Sequence, residues 1–149
     1  MASLAENKKA YFDYEVLEKI EAGIVLTGQE VKSIKLGRIN IRGSYVVSKE
    51  GEFYLIGATV PPYQPKNTPR DYEPQRPRKL LLKKSEINYL IGKSKQRGLT
   101  QIPLRMYTKQ GKIKLEFAIA KGRKKSDKRE VLKKRVAERE IERALRGKI

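Results

Sequence analysis

The chain has 149 residues, one domain's worth, of which 38% are hydrophobic and 35% charged, so the core must be modest and the surface heavily charged. Its 35 Lys and Arg against 17 Asp and Glu leave a formal charge of +18, whose natural neutraliser is a polyanion, and nucleic acid is the leading partner. The absence of Cys and His excludes disulfides, thiolate nucleophiles, zinc ribbons and imidazole bases, no stretch approaches the roughly 18 apolar residues of a membrane span, and Met1 to Lys8 (MASLAENK) lacks the pattern of a leader.

From Tyr11 to Leu26, Tyr, Val, Ile and Leu are interspersed with charges, as in strands with one buried and one wet face, and Gly23 is expected to mark a bend or bulge. Glu30 to Leu36 reads as a short helix ended by Gly37, with Val31 and Ile34 on one side. Ile39 to Val47 and Glu52 to Val60 form a hairpin pattern around Ser48-Lys49-Glu50-Gly51. Pro61 to Pro77 holds six of the seven prolines and predicts a long exposed loop.

Lys79 to Lys83 (KLLLK) resumes a strand, and Ser85 is expected to cap a helix whose Ile87, Leu90 and Ile91 share a face before Gly98. Leu104 to Thr108 and Lys112 to Ile119 make a second hairpin around Lys109-Gln110-Gly111, with Ile113, Leu115, Phe117 and Ile119 on the inward face. The pattern predicts a mainly β fold: a small antiparallel barrel of oligonucleotide-binding type with two or three short helices.

The composition shifts at Lys121. Residues 121–149 carry 13 basic and 5 acidic side chains with no aromatic residue or proline, which divides the chain into a body, 1–120, and a cationic tail, 121–149. Ser126-Asp127 with Glu130 resembles a capping box, and Glu130 with Lys134 and Glu142 with Arg146 are favourable i,i+4 pairs worth about 0.2–0.5 kcal/mol each. Val131, Ala137, Ile141, Ala144 and Leu145 fall on one broad side, but Leu132 and Val136 do not. The expectation is a tail that is disordered or frayed alone and helical against RNA.

Few residues suggest chemistry. Gly23 to Gly28 has the glycine spacing of a phosphate loop, but Gln29-Glu30 replaces the required Lys and hydroxyl residue, and Gly92-Lys93-Ser94 lacks the upstream glycine. Tyr11, Phe12 and Tyr14 beside Lys8 and Lys9 suit base stacking with phosphate contact; the alternative is that one or two rings are core. Arg76, Arg78, Lys79, Lys83 and Lys84 bracket Leu80 to Leu82, and alternation exposes Leu81 if Leu80 and Leu82 face inward. Glu21 and Glu30 suit either a base edge or a surface salt bridge.

Five ordered segments together resemble the SsrA-binding protein family, also called small protein B. They are Asn7 to Ala10 (NKKA), Glu21 to Tyr45 (EAGIVLTGQEVKSIKLGRINIRGSY), Arg78 to Leu82 (RKLLL), Ala120 to Lys124 (AKGRK), and Asp127-Lys128-Arg129 with Lys133 and Arg135 beyond. The resemblance implies an antiparallel barrel that binds the transfer-RNA-like domain of transfer-messenger RNA and delivers it to stalled ribosomes. It implies RNA contacts at Asn7, Glu21 and Leu81, to which the residue patterns add Lys8, Lys9, Tyr11, Phe12, Arg78 and Lys79.

For the tail, the resemblance implies insertion along the vacant messenger channel beside the small-subunit decoding region. Lys121, Arg123, Lys124, Lys125, Asp127, Lys128, Arg129, Lys133, Lys134 and Arg135 are the expected contacts. Two positions depart from the family pattern: Tyr11-Phe12 stands where Arg-His is frequent, and Ser126 stands where an aromatic residue or His is frequent. The expectation is a cytoplasmic, monomeric RNA adaptor without enzymatic activity, cofactor, metal or membrane partner. Its rivals are a general ribosomal or nucleoid barrel protein and an RNA-modifying enzyme.

Overall fold

A computed structural model describes residues Ser3 to Arg146, with the backbone alone for Lys125, Ser126, Asp127, Glu130, Val131, Glu142 and residues 144–146. Strand β1 (Ser3–Glu6) leads into helix α1 (Lys8–Asp13), then β2 (Tyr14–Ile24), α2 (Gly28–Lys35), β3 (Tyr45–Lys49) and β4 (Glu52–Ile56). A 3-10 turn at Pro65–Asn67 precedes β5 (Arg78–Leu81), α3 (Lys84–Ser94), β6 (Leu99–Lys109), β7 (Lys112–Gly122) and α4 (Lys125–Arg146).

The sheet closes on itself. Its antiparallel order β6-β3-β4-β5-β2-β7 returns to β6 because β6 and β7 also pair, so six strands form a barrel. On its other edge β6 takes β3 near its start, Val46 opposite Gln101, and β1 near its end, Ser3 opposite Tyr107. The closure is partial: β2 meets β5 only at Gly23 and Ile24, leaving most of β2 paired to β7 alone, and β3 meets β6 only at Val46.

Both hairpins form because their tips supply two consecutive positive φ values, 53° and 77° at Glu50-Gly51 and 52° and 77° at Gln110-Gly111. The second is longer than its periodicity suggests, with eleven residues in each of β6 and β7. The inward face of β7 is Ile113, Leu115, Phe117 and Ile119, packed with Phe53, Leu55, Leu80 and Met106 and with Ile34 and Leu90 from α2 and α3. Burying each large side chain contributes about 1.5–3 kcal/mol. Ala118 and Ala120 on the opposite face are buried as well, in a second cluster with Ala10 of α1, Ile102 and Leu104.

Several expectations are corrected. Tyr11 and Phe12 lie in α1, not in a strand, and β2 begins at Tyr14. Gly23 is regular strand; the β2 bulge falls between Val16 and Glu18. The Ile39–Val47 run is a strand only from Tyr45, preceded by an isolated bridge between Asn40 and Thr59. Helix α3 is capped at Lys83, whose N–H donates to Glu86 Oε1 at 2.9 Å, rather than at Ser85. Strand β7 runs through Gly122, so Lys121 belongs to the barrel and not to the tail.

The proline-rich segment is a loop that is tied down: Tyr72 donates its hydroxyl to Val60 O at 2.6 Å, and Val60 N–H donates to Pro74 O at 2.9 Å. The tail is helical from Lys125 to Arg146. Its proposed capping box, the Glu130–Lys134 and Glu142–Arg146 pairs, and the contributions of Ser126, Val131, Ala144 and Leu145 lie outside the described side chains. Leu132, Val136 and Ile141 are exposed.

Candidate nucleic-acid interface

The outward face of β2 reads Lys19, Glu21, Gly23, because side chains alternate along a strand. Gly23 is the register point of the site: it lies opposite Leu81 of β5 on one side and Lys114 of β7 on the other. A Cβ at Gly23 would stand 3.2 Å from Leu81 Cβ, closer than ordinary side chains approach, so the glycine leaves room for Leu81. Leu81 is 54% exposed while Leu80 is 1% exposed, as alternation in KLLLK requires.

Around Leu81 opens a hollow of about 760 Å³, lined by Lys19, Ile20, Glu21, Gly23, Glu52, Lys79, Leu80, Leu82, Lys83, Glu86, Ile87 and Lys114 as well. Four lysines from four segments therefore ring an exposed leucine. Lys79 Nζ lies 3.8 Å from Glu52 Oε1, a half-exposed pair of little energetic weight. The sequence had singled out Glu21, Lys79 and Leu81. Lys19 and Lys114 were missed: alternation sends Lys114 outward but carries no signal that strand pairing brings it, through Gly23, beside Leu81.

Glu21 does not stand alone. Tyr107 donates its hydroxyl to Glu21 Oε2, and Lys109 Nζ lies 3.2 Å from Oε1. The Tyr107 hydrogen bond holds the Glu21 carboxyl below the usual range, helped by Lys109 and opposed by partial desolvation. Burial and the same hydrogen bond raise the Tyr107 phenol well above its ordinary value. Glu21 thus presents an ionised carboxylate, which accepts and never donates.

Arg78, expected at the RNA face, is not at the surface. It is fully buried, donating to Glu30 Oε2 from Nε at 2.7 Å, to Ala58 O from Nη1 at 3.1 Å and to Pro74 O from Nη2 at 2.9 Å. A guanidinium so committed cannot reach RNA. Glu30 is no surface acid either: it is 1% exposed, and its Oε1 accepts from Thr27 N–H at 2.8 Å in the capping box of α2. The acidic pattern was right about pairing and wrong about place.

Asn7 is also buried, and its Nδ2 donates to Pro103 O at 3.0 Å while its backbone N–H donates to Leu104 O at 2.7 Å. These carbonyls sit at the β6 bulge, between Pro103 and Arg105, where ladder pairing is interrupted. Asn7 therefore joins β1 and α1 to that bulge rather than offering its amide to solvent. Lys8 and Lys9 are exposed on α1, and Lys9 borders a separate hollow of about 350 Å³ with Arg42 and Tyr45.

Tyr11, 38% exposed, connects α1 to the Leu81 face through Lys19, whose Nζ lies 5.6 Å from the ring centroid. Phe12 instead meets the tail, with Lys128 Nζ 5.9 Å from its ring and 3.3 Å from Asp13 Oδ1. Arg123 holds the start of the tail to the barrel, donating from Nε to Tyr14 O at 3.2 Å and from its backbone N–H to Asp13 O at 2.9 Å. It is a joint more than a free contact. Lys124, Arg129, Lys133 and Lys134 are exposed and Arg135 is half-buried; the side chains of Lys125 and Asp127 are outside the described residues.

Among the described residues, no group of three or more His, Cys, Asp and Glu is placed to hold a metal ion, and no helix is long and apolar enough to cross a membrane.

The model of the family described as SmpB protein matches residues 4–147. An SsrA-binding protein of Carboxydothermus hydrogenoformans is 52% identical over 145 residues, 97% of each chain. One from Sulfurihydrogenibium sp. is 51% identical over 146 residues, 98% of this chain and 95% of its own. A solved structure described as "tmRNA-SmpB: a journey to the center of the bacterial ribosome" superposes with a TM-score of 0.66 at 43% identity, covering 81% of this chain and 85% of that one. Matched over nearly its whole length by the family model, and sharing about half its residues with both relatives, the chain belongs to the SmpB protein family.

Proposed function

We propose that the chain binds the transfer-RNA-like domain of transfer-messenger RNA through the Leu81 face and carries it to stalled ribosomes. The observation that carries this reading is the exposed Leu81 standing beside an ionised Glu21 within a ring of Lys19, Lys79, Lys83 and Lys114. An apolar side chain packs on an unstacked base, a carboxylate accepts from a base amino or imino edge, and the lysines neutralise phosphates. The relatives described as SsrA-binding proteins and the neighbour described as tmRNA-SmpB support the same ligand.

In this reading the protein is a non-enzymatic adaptor working in the cytoplasm. The barrel holds the RNA, and α4, with the residues that precede it, takes the vacant messenger channel near the decoding region. Tyr11 and Lys19 extend the RNA face toward α1, and the exposed Lys8 and Lys9 supply further charge. Arg78 supports the face from within, and Asn7 fixes α1 to the β6 bulge.

Competition tests the assignment. Labelled transfer-RNA-like RNA bound to the full-length protein should resist displacement by elongator transfer RNA or random RNA of equal length. Equal displacement by all three identifies a charge-driven general RNA binder instead.

A further inference from the structure

Residues 105, 107 and 109 of β6 share one outward face; Arg105 serves a glutamate on the adjacent β7, and Tyr107 and Lys109 reach across β7 to one on β2. Glu21 of β2 and Glu116 of β7 are directly opposite in the register, an unfavourable pairing of like charges if left alone. Arg105 Nε lies 3.4 Å from Glu116 Oε1, Lys109 Nζ lies 3.2 Å from Glu21 Oε1, and Tyr107 between them donates its hydroxyl to Glu21 Oε2. The Arg105 guanidinium also covers the Tyr107 ring at 4.5 Å from its centroid.

The two donors to Glu21 differ in kind. Tyr107 is 1% exposed, with a rigid side chain fixed in the sheet, whereas the Lys109 side chain is 45% exposed on a flexible stem. The buried phenol fixes one carboxylate oxygen, and Lys109 can swing toward a phosphate without releasing it. Glu21 is therefore held in one rotamer at the edge of the Leu81 hollow before any ligand arrives.

We propose that Tyr107 is a positioning residue for RNA recognition, aiming the Glu21 carboxylate at a base edge beside Leu81. This rests on the reading of the Leu81 face as the RNA site. A carboxylate aimed at phosphate would repel it, so its placement has recognition value only if it meets N–H donors on a base, or a ribose hydroxyl. A fixed oxygen restricts which nucleotide can dock, and a mobile one does not. Tyr107 itself touches no RNA.

The test is a double-mutant cycle in the full-length protein with Tyr107→Phe, Glu21→Ala and the pair, read as affinity for the transfer-RNA-like RNA and its salt dependence. Tyr107→Phe keeps the ring and removes only the hydroxyl. We expect it to weaken binding about tenfold, as for loss of a hydrogen bond to a charged group, with an unchanged salt slope. In the Glu21→Ala background the same change should cost nothing further. Thermal unfolding of each variant separates a loss of fold from a loss of aim.

Wild-type affinity in Tyr107→Phe, or losses that multiply independently in the double variant, overturns the positioning role while leaving the RNA face intact. Wild-type affinity in Glu21→Ala overturns both the role of Glu21 and the proposal built on it.

Discussion

Arg78 and Glu30 form an ion pair from which solvent is excluded: Arg78 Nη2 lies 2.6 Å from Glu30 Oε2, with the two side chains 0% and 1% exposed. Arg76 approaches the other oxygen, Oε1, at 2.5 Å from the loop side. One carboxylate thus joins α2 to β5, and Arg78 adds the backbone carbonyls of Ala58 and Pro74. The strand that carries Leu81 is anchored from behind by these bonds.

Arg78→Met would leave the Glu30 charge buried without its principal partner. Breaking such a pair costs about 3–5 kcal/mol, and urea unfolding should show a loss of that order. Where the variant remains folded, the slope of RNA affinity against salt should be unchanged, because Arg78 makes no phosphate contact.

Acid should weaken the same junction. Burial alone would raise the Glu30 carboxyl, but the Thr27 N–H, Arg76 and Arg78 outweigh it and hold it below the ordinary value. A depressed folded pKa means that the contribution is complete above the unfolded Glu range and lost as pH falls through the folded value. Urea midpoints measured downward from neutral pH should fall in that acid window, and Glu30→Gln should flatten this part of the profile while lowering stability at neutral pH.

Gly23→Ala tests the placement of Leu81. The added methyl meets Leu81 Cβ at 3.2 Å, so Leu81 or the β2–β5 pairing must shift by a few tenths of an ångström. RNA affinity should drop severalfold with only a modest change in melting temperature. Leu81→Ala, which removes the exposed side chain itself, should weaken RNA binding further while leaving the melting temperature nearly unchanged, since surface truncations usually alter stability by less than about 0.5 kcal/mol.

Lys114→Ala should weaken transfer-RNA-like RNA binding and reduce the magnitude of the logarithmic salt slope by about 0.7–0.9, as expected when one phosphate contact is lost. Filter binding over a salt series gives both quantities. An unchanged slope would place Lys114 away from the phosphates.

Removing Asp127 onward takes away most of α4 and its Lys128 contacts to Asp13 and Phe12, a partly exposed pair worth no more than about 1 kcal/mol. The truncated protein should bind transfer-messenger RNA near normally and fail to support tagging on stalled ribosomes in a reconstituted system. Retained tagging would contradict the division between barrel and tail.

Local pattern carried much of this fold. Alternation in Lys112 to Ile119 marked the inward face of β7, glycine after a polar residue marked both hairpin tips, and KLLLK put Leu81 outward on the condition that Leu80 and Leu82 face inward, which the burial of Leu80 meets. The errors arose where a residue's side depends on distant chain. The stacking pair Tyr11-Phe12 looked like strand because aromatic residues favour sheets, but α1 instead packs Ala10 over Ala118 and Ala120.

Composition by itself determined that the chain is a basic, cysteine-free and histidine-free protein suited to a polyanion, and residue periodicity determined that its body is built mainly from hairpins. Only the tertiary structure decided which charges face solvent. Arg78 and Lys79 are adjacent in sequence, yet one is sealed inside with Glu30 and the other opens on the Leu81 hollow. Tyr107 reaches Glu21 across 86 residues because β2, β7 and β6 lie side by side in the barrel. Alternation assigns a residue to one of two faces, but strand pairing and covering helices determine what each face meets and whether water reaches it.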